Sequence, residues 1–354
     1  MKKKILVVDD SALMRRVLCD IINSDDRFEV SDTAVDGVDG YEKITSKKFD
    51  AIVLDLNMPR MTGNELLREL QKSNIQARVL MASTTTKEGA AETLEALSLG
   101  AIDFIQKPEN AFEIITSKFQ NRFLSMLEMV ANFSNDIKVP SQKSPIEKKS
   151  EDISVGNYKP VTGKKIVAIA SSTGGPKALQ DIIPKLPANL NAPVLIVQHM
   201  PKGFTKTLAD RLNAESQIKV SEACEGEYIE TGHVYVAPGG KHLKLAKMAS
   251  GYMIKLSDEP AREGVKPCAN YMYESLVNTD YDEVVCAVLT GMGADGTAGI
   301  KALSDEKKVF IVAQDEKSAT VYGMPKAIAR TGLCNSIVDL SDIPGQIIKN
   351  VGVR

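Results

Sequence analysis

The sequence predicts an α/β protein of two domains joined by a tether, and three observations carry that reading. Short apolar, β-rich runs alternate with helical patterns from residue 3 to about 125. The alternation stops over a polar stretch at about 134–162 and resumes from residue 164. Strands that alternate with helices build parallel sheets covered on both faces. With 354 residues the chain is long enough for two domains that each bury a core.

The first part places strands at 5–8, 28–34, 51–54, 78–81 and 102–105. Helical patterns fall at 12–23, 64–72 and 88–99, with a long last helix at 111–132. Asp10-Ser11 stand where they would cap the first helix. These elements make a domain over 1–125. Residues 126–162 read as a linker, because the segment around 139–152 is charged, Ser- and Pro-containing and has little to bury.

A second domain over 163–354 places strands at 166–170, 194–197, 218–221, 234–237, 243–246, 253–256, 284–289, 309–312 and 336–338. Helices are expected between several of them, at 202–213 and 271–278 among others, and Pro176 suits the first turn of one more. The run 218–257 holds strands without helices, which points to an antiparallel addition at one edge of a doubly wound sheet.

Composition excludes several classes. A hydrophobic share of 43% and a charged share of 25% are ordinary for a globular chain. A net charge of −2 gives no reason to expect nucleic acid or an anionic membrane as partner. No apolar run is long enough to span a bilayer. The N-terminal apolar run ends at Asp9-Asp10, too soon for a signal peptide, so the expected location is cytoplasmic. The five cysteines are scattered, at neither metal nor redox spacing, and are expected as thiols. The three histidines are His199, His233 and His242. His233 and His242 are expected at the surface.

Open parallel sheets form their sites just beyond the carboxyl ends of strands. Asp9 and Asp10 follow the first strand, Asp55 the third and Lys107 the fifth. Carboxylates brought together repel unless a cation sits among them, and an all-oxygen set suits Mg²⁺. One carboxylate then serves as nucleophile toward a phosphoryl group, with the lysine as its counter-charge. Any one of these acids alone would read as a helix cap.

The pieces Val7-Val8-Asp9-Asp10-Ser11, Leu54-Asp55-Leu56-Asn57-Met58-Pro59 and Gly100-Ala101-Ile102-Asp103-Phe104-Ile105-Gln106-Lys107-Pro108 resemble response-regulator receiver domains. The resemblance covers residues 3–125. It implies a flavodoxin-like, five-stranded parallel sheet, phosphorylated on Asp55. It also implies Mg²⁺ among Asp9, Asp10, Asp55 and the Asn57 carbonyl, and a histidine kinase as phosphodonor. Lys107 and Phe104 fall on the family's switch positions. The alignment puts Ala82 where the family places a serine or threonine, with Ser83 beside it.

The second constellation is Ser172, His199 and Asp295, each just past an apolar run. Ala170-Ser171-Ser172-Thr173-Gly174 follows a strand and matches a nucleophile elbow with alanine for its first glycine. Backbone N–H groups at the start of the following helix would hold an oxyanion. Ser-Ser-Thr-Gly-Gly also reads as a phosphate-cradling turn or a plain cap. His199 arrives one strand later at the same edge. Gly291-Met292-Gly293-Ala294-Asp295-Gly296 matches the dinucleotide-binding fingerprint after a strand, with Asp315 some twenty residues on. The two readings of that turn differ in what they ask of Asp295. A carboxylate is unwelcome beside a pyrophosphate but suited to orienting an imidazole.

Ile169-Ala170-Ser171-Ser172-Thr173-Gly174-Gly175, Val197-Gln198-His199-Met200-Pro201 and Leu289-Thr290-Gly291-Met292-Gly293-Ala294-Asp295-Gly296 resemble the chemotaxis protein-glutamate methylesterases, the CheB family. Tyr235-Val236-Ala237-Pro238-Gly239-Gly240 and Tyr322-Gly323-Met324-Pro325 extend the likeness over nearly the whole chain. It implies a triad of Ser172, His199 and Asp295, with Thr173 and the Met292 backbone lining the site. The implied reaction hydrolyses glutamate methyl esters on chemoreceptors, with deamidation of receptor glutamines as a second activity. The ester chemistry needs no cofactor.

Overall fold

The protein is described by a computed structural model over residues 1–83, 86–108, 116–133 and 161–354. It divides into two compact units, Met1–Asn135 and Asp136–Arg354.

In the first unit five strands, β1 (Lys3–Val8), β2 (Phe28–Ala34), β3 (Ala51–Asp55), β4 (Val79–Ser83) and β5 (Asp103–Gln106), lie in the order β2-β1-β3-β4-β5. All are parallel. The helices are α1 (Ala12–Asn23), α2 (Gly37–Ser46), α3 (Gly63–Lys72), α4 (Lys87–Ser98) and α5 (Ser117–Ala131). Ser11 caps α1 by accepting from Met14 N–H, as expected. A reciprocal Thr62–Glu65 capping box opens α3, which buries Leu66, Leu67 and Leu70. Helix α5 carries the unit past residue 125, where the sequence ended it, because Phe123, Leu127, Val130 and Ala131 keep feeding the same core. The expected linker falls largely on 134–160, outside the described residues, as do 111–115 of the expected last helix.

The second unit is a seven-stranded parallel sheet in the order β14-β13-β12-β6-β7-β9-β8. Its strands are β6 (Lys165–Ser171), β7 (Val194–Gln198), β8 (Lys219–Glu222), β9 (His233–Val236), β12 (Glu283–Val288), β13 (Val309–Gln314) and β14 (Ser336–Val338). The helices are α6 (Gly175–Ile182), α7 (Phe204–Glu215), α8 (Ala269–Leu276), α9 (Thr297–Glu306), α10 (Met324–Ala329) and α11 (Ile343–Val351). The antiparallel addition is a two-stranded ribbon of β10 (His242–Met248) and β11 (Gly251–Ser257). It lies outside the main sheet but packs Leu243, Leu245, Tyr252 and Ile254 into the shared core. The neighbouring pair β8 and β9, expected to belong with it, joins the parallel sheet instead.

Two histidines depart from expectation. His233 and His242 are 2% and 0% exposed, not surface residues. Their rings pack against tyrosines, that of His233 with its centroid 4.0 Å from Tyr235 and that of His242 4.5 Å from Tyr271, and burial lowers both, His233 to about 4. Among the described residues no helix is long and apolar enough to cross a membrane.

Candidate active site

Strand order decides where chemistry collects. In the second unit β6 sits between β7 and β12, the point from which the chain winds outward in both directions. Sites in open sheets form there, beyond the carboxyl ends. Ser172 follows β6, His199 follows β7, and Asp295 ends the loop after β12.

The turns are stitched together by backbone bonds. His199 N–H donates to Ser171 O at 3.1 Å, and Ser172 N–H to Thr290 O at 3.0 Å. Gln198 adds a bracket that the sequence did not flag. Ser171 Oγ and Gln198 Oε1 are 2.7 Å apart, and Gln198 Nε2 donates to Ser172 O at 2.9 Å. Gly174 takes a left-handed φ of 74° that lets the serine turn run straight into α6. Thr173 is buried, and its carbonyl accepts from Thr290 Oγ1 at 2.9 Å, while Met292 is 51% exposed at the rim.

Asp295 is the most heavily held group. Its Oδ2 is 2.7 Å from His199 Nε2 and accepts from Ala269 N–H at 2.6 Å. Its Oδ1 accepts from Cys268 Sγ and Asn270 N–H, both at 3.0 Å. Burial would raise this carboxyl, but the hydrogen bond and charge of His199, with those of Cys268 and Ala269, outweigh it and hold it at about 2. Asp295 therefore accepts, and the proton of the shared bond is on His199 Nε2, leaving Nδ1 as the basic nitrogen. Among the described residues Ser172 Oγ has no hydrogen-bond partner of its own, which leaves the hydroxyl free to rotate. The glycine-spaced turn 291–296 is thus spent on presenting a carboxylate rather than on cradling a pyrophosphate.

The first unit gathers the other group. One carboxylate oxygen from each of Asp9, Asp10 and Asp55 lies within 4.8 Å of the others. Lys107 Nζ sits 2.8 Å from Asp9 Oδ2 and 2.7 Å from Asp55 Oδ1. Burial raises the Asp55 carboxyl, with Lys107 pulling the other way and Asp9 adding to the rise. Arg15, not singled out in the sequence, donates to Asp9 O at 2.7 Å and fixes the strand end. Asn57 lies exposed in the turn after β3, and Phe104 is buried on β5. Ala82 is in register with Asp55, but its methyl packs into the core with Val53, Ile105 and Phe123. The hydroxyl at the end of β4 belongs to Ser83, 2.6 Å from Thr93 Oγ1.

Known proteins carry the same organisation. The description "Response regulator receiver domain" matches residues 5–118 and "CheB methylesterase" residues 167–347. A protein-glutamate methylesterase/protein-glutamine glutaminase of Bacillus subtilis is 41% identical over 97% of this chain and 97% of its own. One of that name from Clostridium acetobutylicum is 41% identical over 100% and 99%. The crystal structure of the Thermotoga maritima CheB methylesterase catalytic domain covers 53% of this chain and 98% of that one, at 38% identity and a TM-score of 0.51. With a receiver sheet ahead of a sheet that brings Ser172, His199 and Asp295 to one edge, and with relatives alike from end to end, the chain belongs to the CheB methylesterase family.

Proposed function

We propose that this chain is a phosphorylation-controlled protein-glutamate methylesterase. It removes methyl esters from glutamate side chains of chemoreceptors and releases methanol. The observation that carries the chemistry is the His199–Asp295 hydrogen bond at the edge where Ser172 leaves its strand. Ser172 Oγ attacks the ester carbonyl carbon while His199 Nδ1 takes its proton. The same proton passes to the departing methoxide, giving methanol and an acyl-serine. Water then attacks the acyl carbon as His199 takes its proton; the acyl C–Oγ bond breaks, His199 returns the proton to Ser172 Oγ, and the glutamate carboxylate is released. Asp295 keeps the ring in one tautomer and stabilises its cation.

The tetrahedral oxyanion is held by backbone N–H groups at Thr173 and Met292. Met292 N–H has no partner among the described residues, so it costs no existing bond. The same acyl chemistry serves glutamine side chains, with ammonia leaving, which fits the double name that the relatives carry.

In the receiver, Asp55 is the phospho-acceptor. Three clustered carboxylates with one lysine make a hard-oxygen donor set that fits Mg²⁺. Asp9, Asp10, Asp55 and the Asn57 carbonyl would hold it, and when bound it neutralises the carboxylates and accepts a phosphoryl oxygen. Lys107 is the protein's own counter-charge for the phosphoryl group. Ser83 supplies the hydroxyl that reads it, Ala82 being in the core, and Phe104 is the coupled aromatic. A histidine kinase is the phosphodonor.

The test is methanol release from methylated receptor membranes, with and without a small phosphodonor. Ser172→Ala is expected to abolish release with its circular dichroism unchanged; turnover like wild type refutes the triad. Asp55→Asn is expected to keep basal release and lose the stimulation. Equal stimulation of that variant would move the switch elsewhere.

A further inference from the structure

We propose that the Cys268 thiol is a positioning residue of the hydrolytic site: its S–H holds Oδ1 of Asp295 and sets how much negative charge Oδ2 turns toward His199. This rests on the Ser172–His199–Asp295 reading above.

Asp295 is 2% exposed, so its charge is satisfied by protein donors. Of its four donors, one is the imidazole and two are the backbone N–H groups of Ala269 and Asn270. Cys268 is the remaining one and, among the described residues, the only one besides His199 made by a side chain. Burial and the Asp295 charge push the thiol up to about 12, so it stays protonated and donates wherever the enzyme works.

The thiol is aimed by a second buried residue. Cys268 N–H donates to His242 Nδ1 at 3.1 Å. That bond requires the ring proton on Nε2, which faces the carbonyls of Glu259 and Pro260 at 3.1 and 3.2 Å. His242 is 0% exposed, and its ring packs on Tyr271 with centroids 4.5 Å apart. The residue is therefore a neutral bracket under the start of α8. Asn270 ties the other side, its Oδ1 accepting from Gly296 and Gly299 N–H at 3.1 and 2.7 Å. The start of α8 and the Asp295 turn thus form one rigid piece.

The ionisable groups around Asp295 are His199 after β7 and Cys268 and Tyr273 at α8. His242 on β10 stands behind the thiol, and Arg262 and Glu263 lie in the preceding loop. Tyr273 is fully buried and neutral. None of these besides Cys268 and His199 places a side-chain donor on the carboxylate.

Removing the S–H leaves more charge on Oδ2, which stabilises the imidazolium and makes the ring harder to deprotonate. The acid limb of the kcat/KM profile is then expected to move to higher pH. On that limb kcat/KM at a fixed pH falls roughly tenfold, the scale of one hydrogen bond to a charged group. KM stays unchanged because the thiol does not touch substrate.

The experiment uses the full chain with a phosphodonor and reads methanol release against pH for wild type, Cys268→Ala, Cys268→Ser and Asp295→Asn. The expected result is a displaced acid limb in Cys268→Ala and its return in Cys268→Ser, which restores a donor. The downfield proton resonance of the His199–Asp295 bond should move and return in parallel, with equal thermal midpoints showing that the folds are intact. A Cys268→Ala profile that superimposes on wild type, beside an inactive Asp295→Asn, overturns the role of Cys268 and leaves the triad standing. A displaced limb that Cys268→Ser does not restore also overturns it. An active Asp295→Asn overturns the triad itself, and this proposal with it.

Discussion

A methyl group on Gly291 would come within 2.7 Å of Ser172 Cβ and run into the Met324 sulfur. Gly291→Ala is therefore expected to displace the serine turn and lower methanol release by roughly tenfold or more, since small misplacements at a reacting centre are costly. Near-normal release with an unchanged thermal midpoint would show that the turn gives way. Asp295 makes a second residue-scale prediction. Held at about 2 when folded and near 3.9 when unfolded, it adds about 2 kcal/mol of stability above pH ~4. That contribution fades as pH falls from about 4 through about 2, so the urea midpoint of wild type should drop more steeply there than that of Asp295→Asn. Ser172, His199, Asp295 and Lys107 were legible in the sequence because each ends an apolar run and so marks a strand's carboxyl end. Gln198, Cys268 and Arg15 were not, because nothing local says which backbone atom a polar side chain will meet. His233 and His242 misled because a polar side chain that opens a strand, or sits on an alternating one, reads as outward until its buried partners are known.

Lys165 at the start of β6 shows what anchors an element. Its Nζ lies 2.7 Å from Glu283 Oε2 on β12 and 2.7 Å from Asn350 O on α11, and both charged side chains are almost fully buried. Breaking a buried pair strands the remaining charge, so Lys165→Ala should cost about 3–5 kcal/mol, read as a lower denaturant midpoint of the second unit. A loss under about 1 kcal/mol, the range of exposed pairs, would show that Glu283 finds other partners. At this scale the parallel sheets were legible from the rhythm of strands and helices. Strand pairing was not: 218–237 and 242–257 carry similar alternation, and only tertiary packing sends the first to the parallel sheet and the second to a ribbon. The end of that last helix was legible, but the domain boundary was drawn inside it at 125, because apolar residues spaced three and four apart keep feeding the core past that point.

Each unit has its own core, one around Phe123 and Leu80, the other around Tyr235 and Tyr273. Calorimetry of the full chain is expected to resolve two transitions. Mg²⁺ at about a hundred times its dissociation constant should raise only the first unit's transition, by about 2.7 kcal/mol of binding linkage. Lys165→Ala should lower only the other. A single transition shifted by both would mean that the units unfold as one. The two-domain plan was the most legible level of all, since it needs only a break in composition.

One consequence follows from β6 lying between β7 and β12. The nucleophile's strand is laddered directly to those that deliver the base and the carboxylate, so the hydrolytic machinery is assembled as soon as that sheet folds. An upstream signal then has nothing left to put together. On the reading proposed above it acts as a tap on a reservoir, and the greatest flow is set by the second sheet together with the start of α8 that holds Asp295.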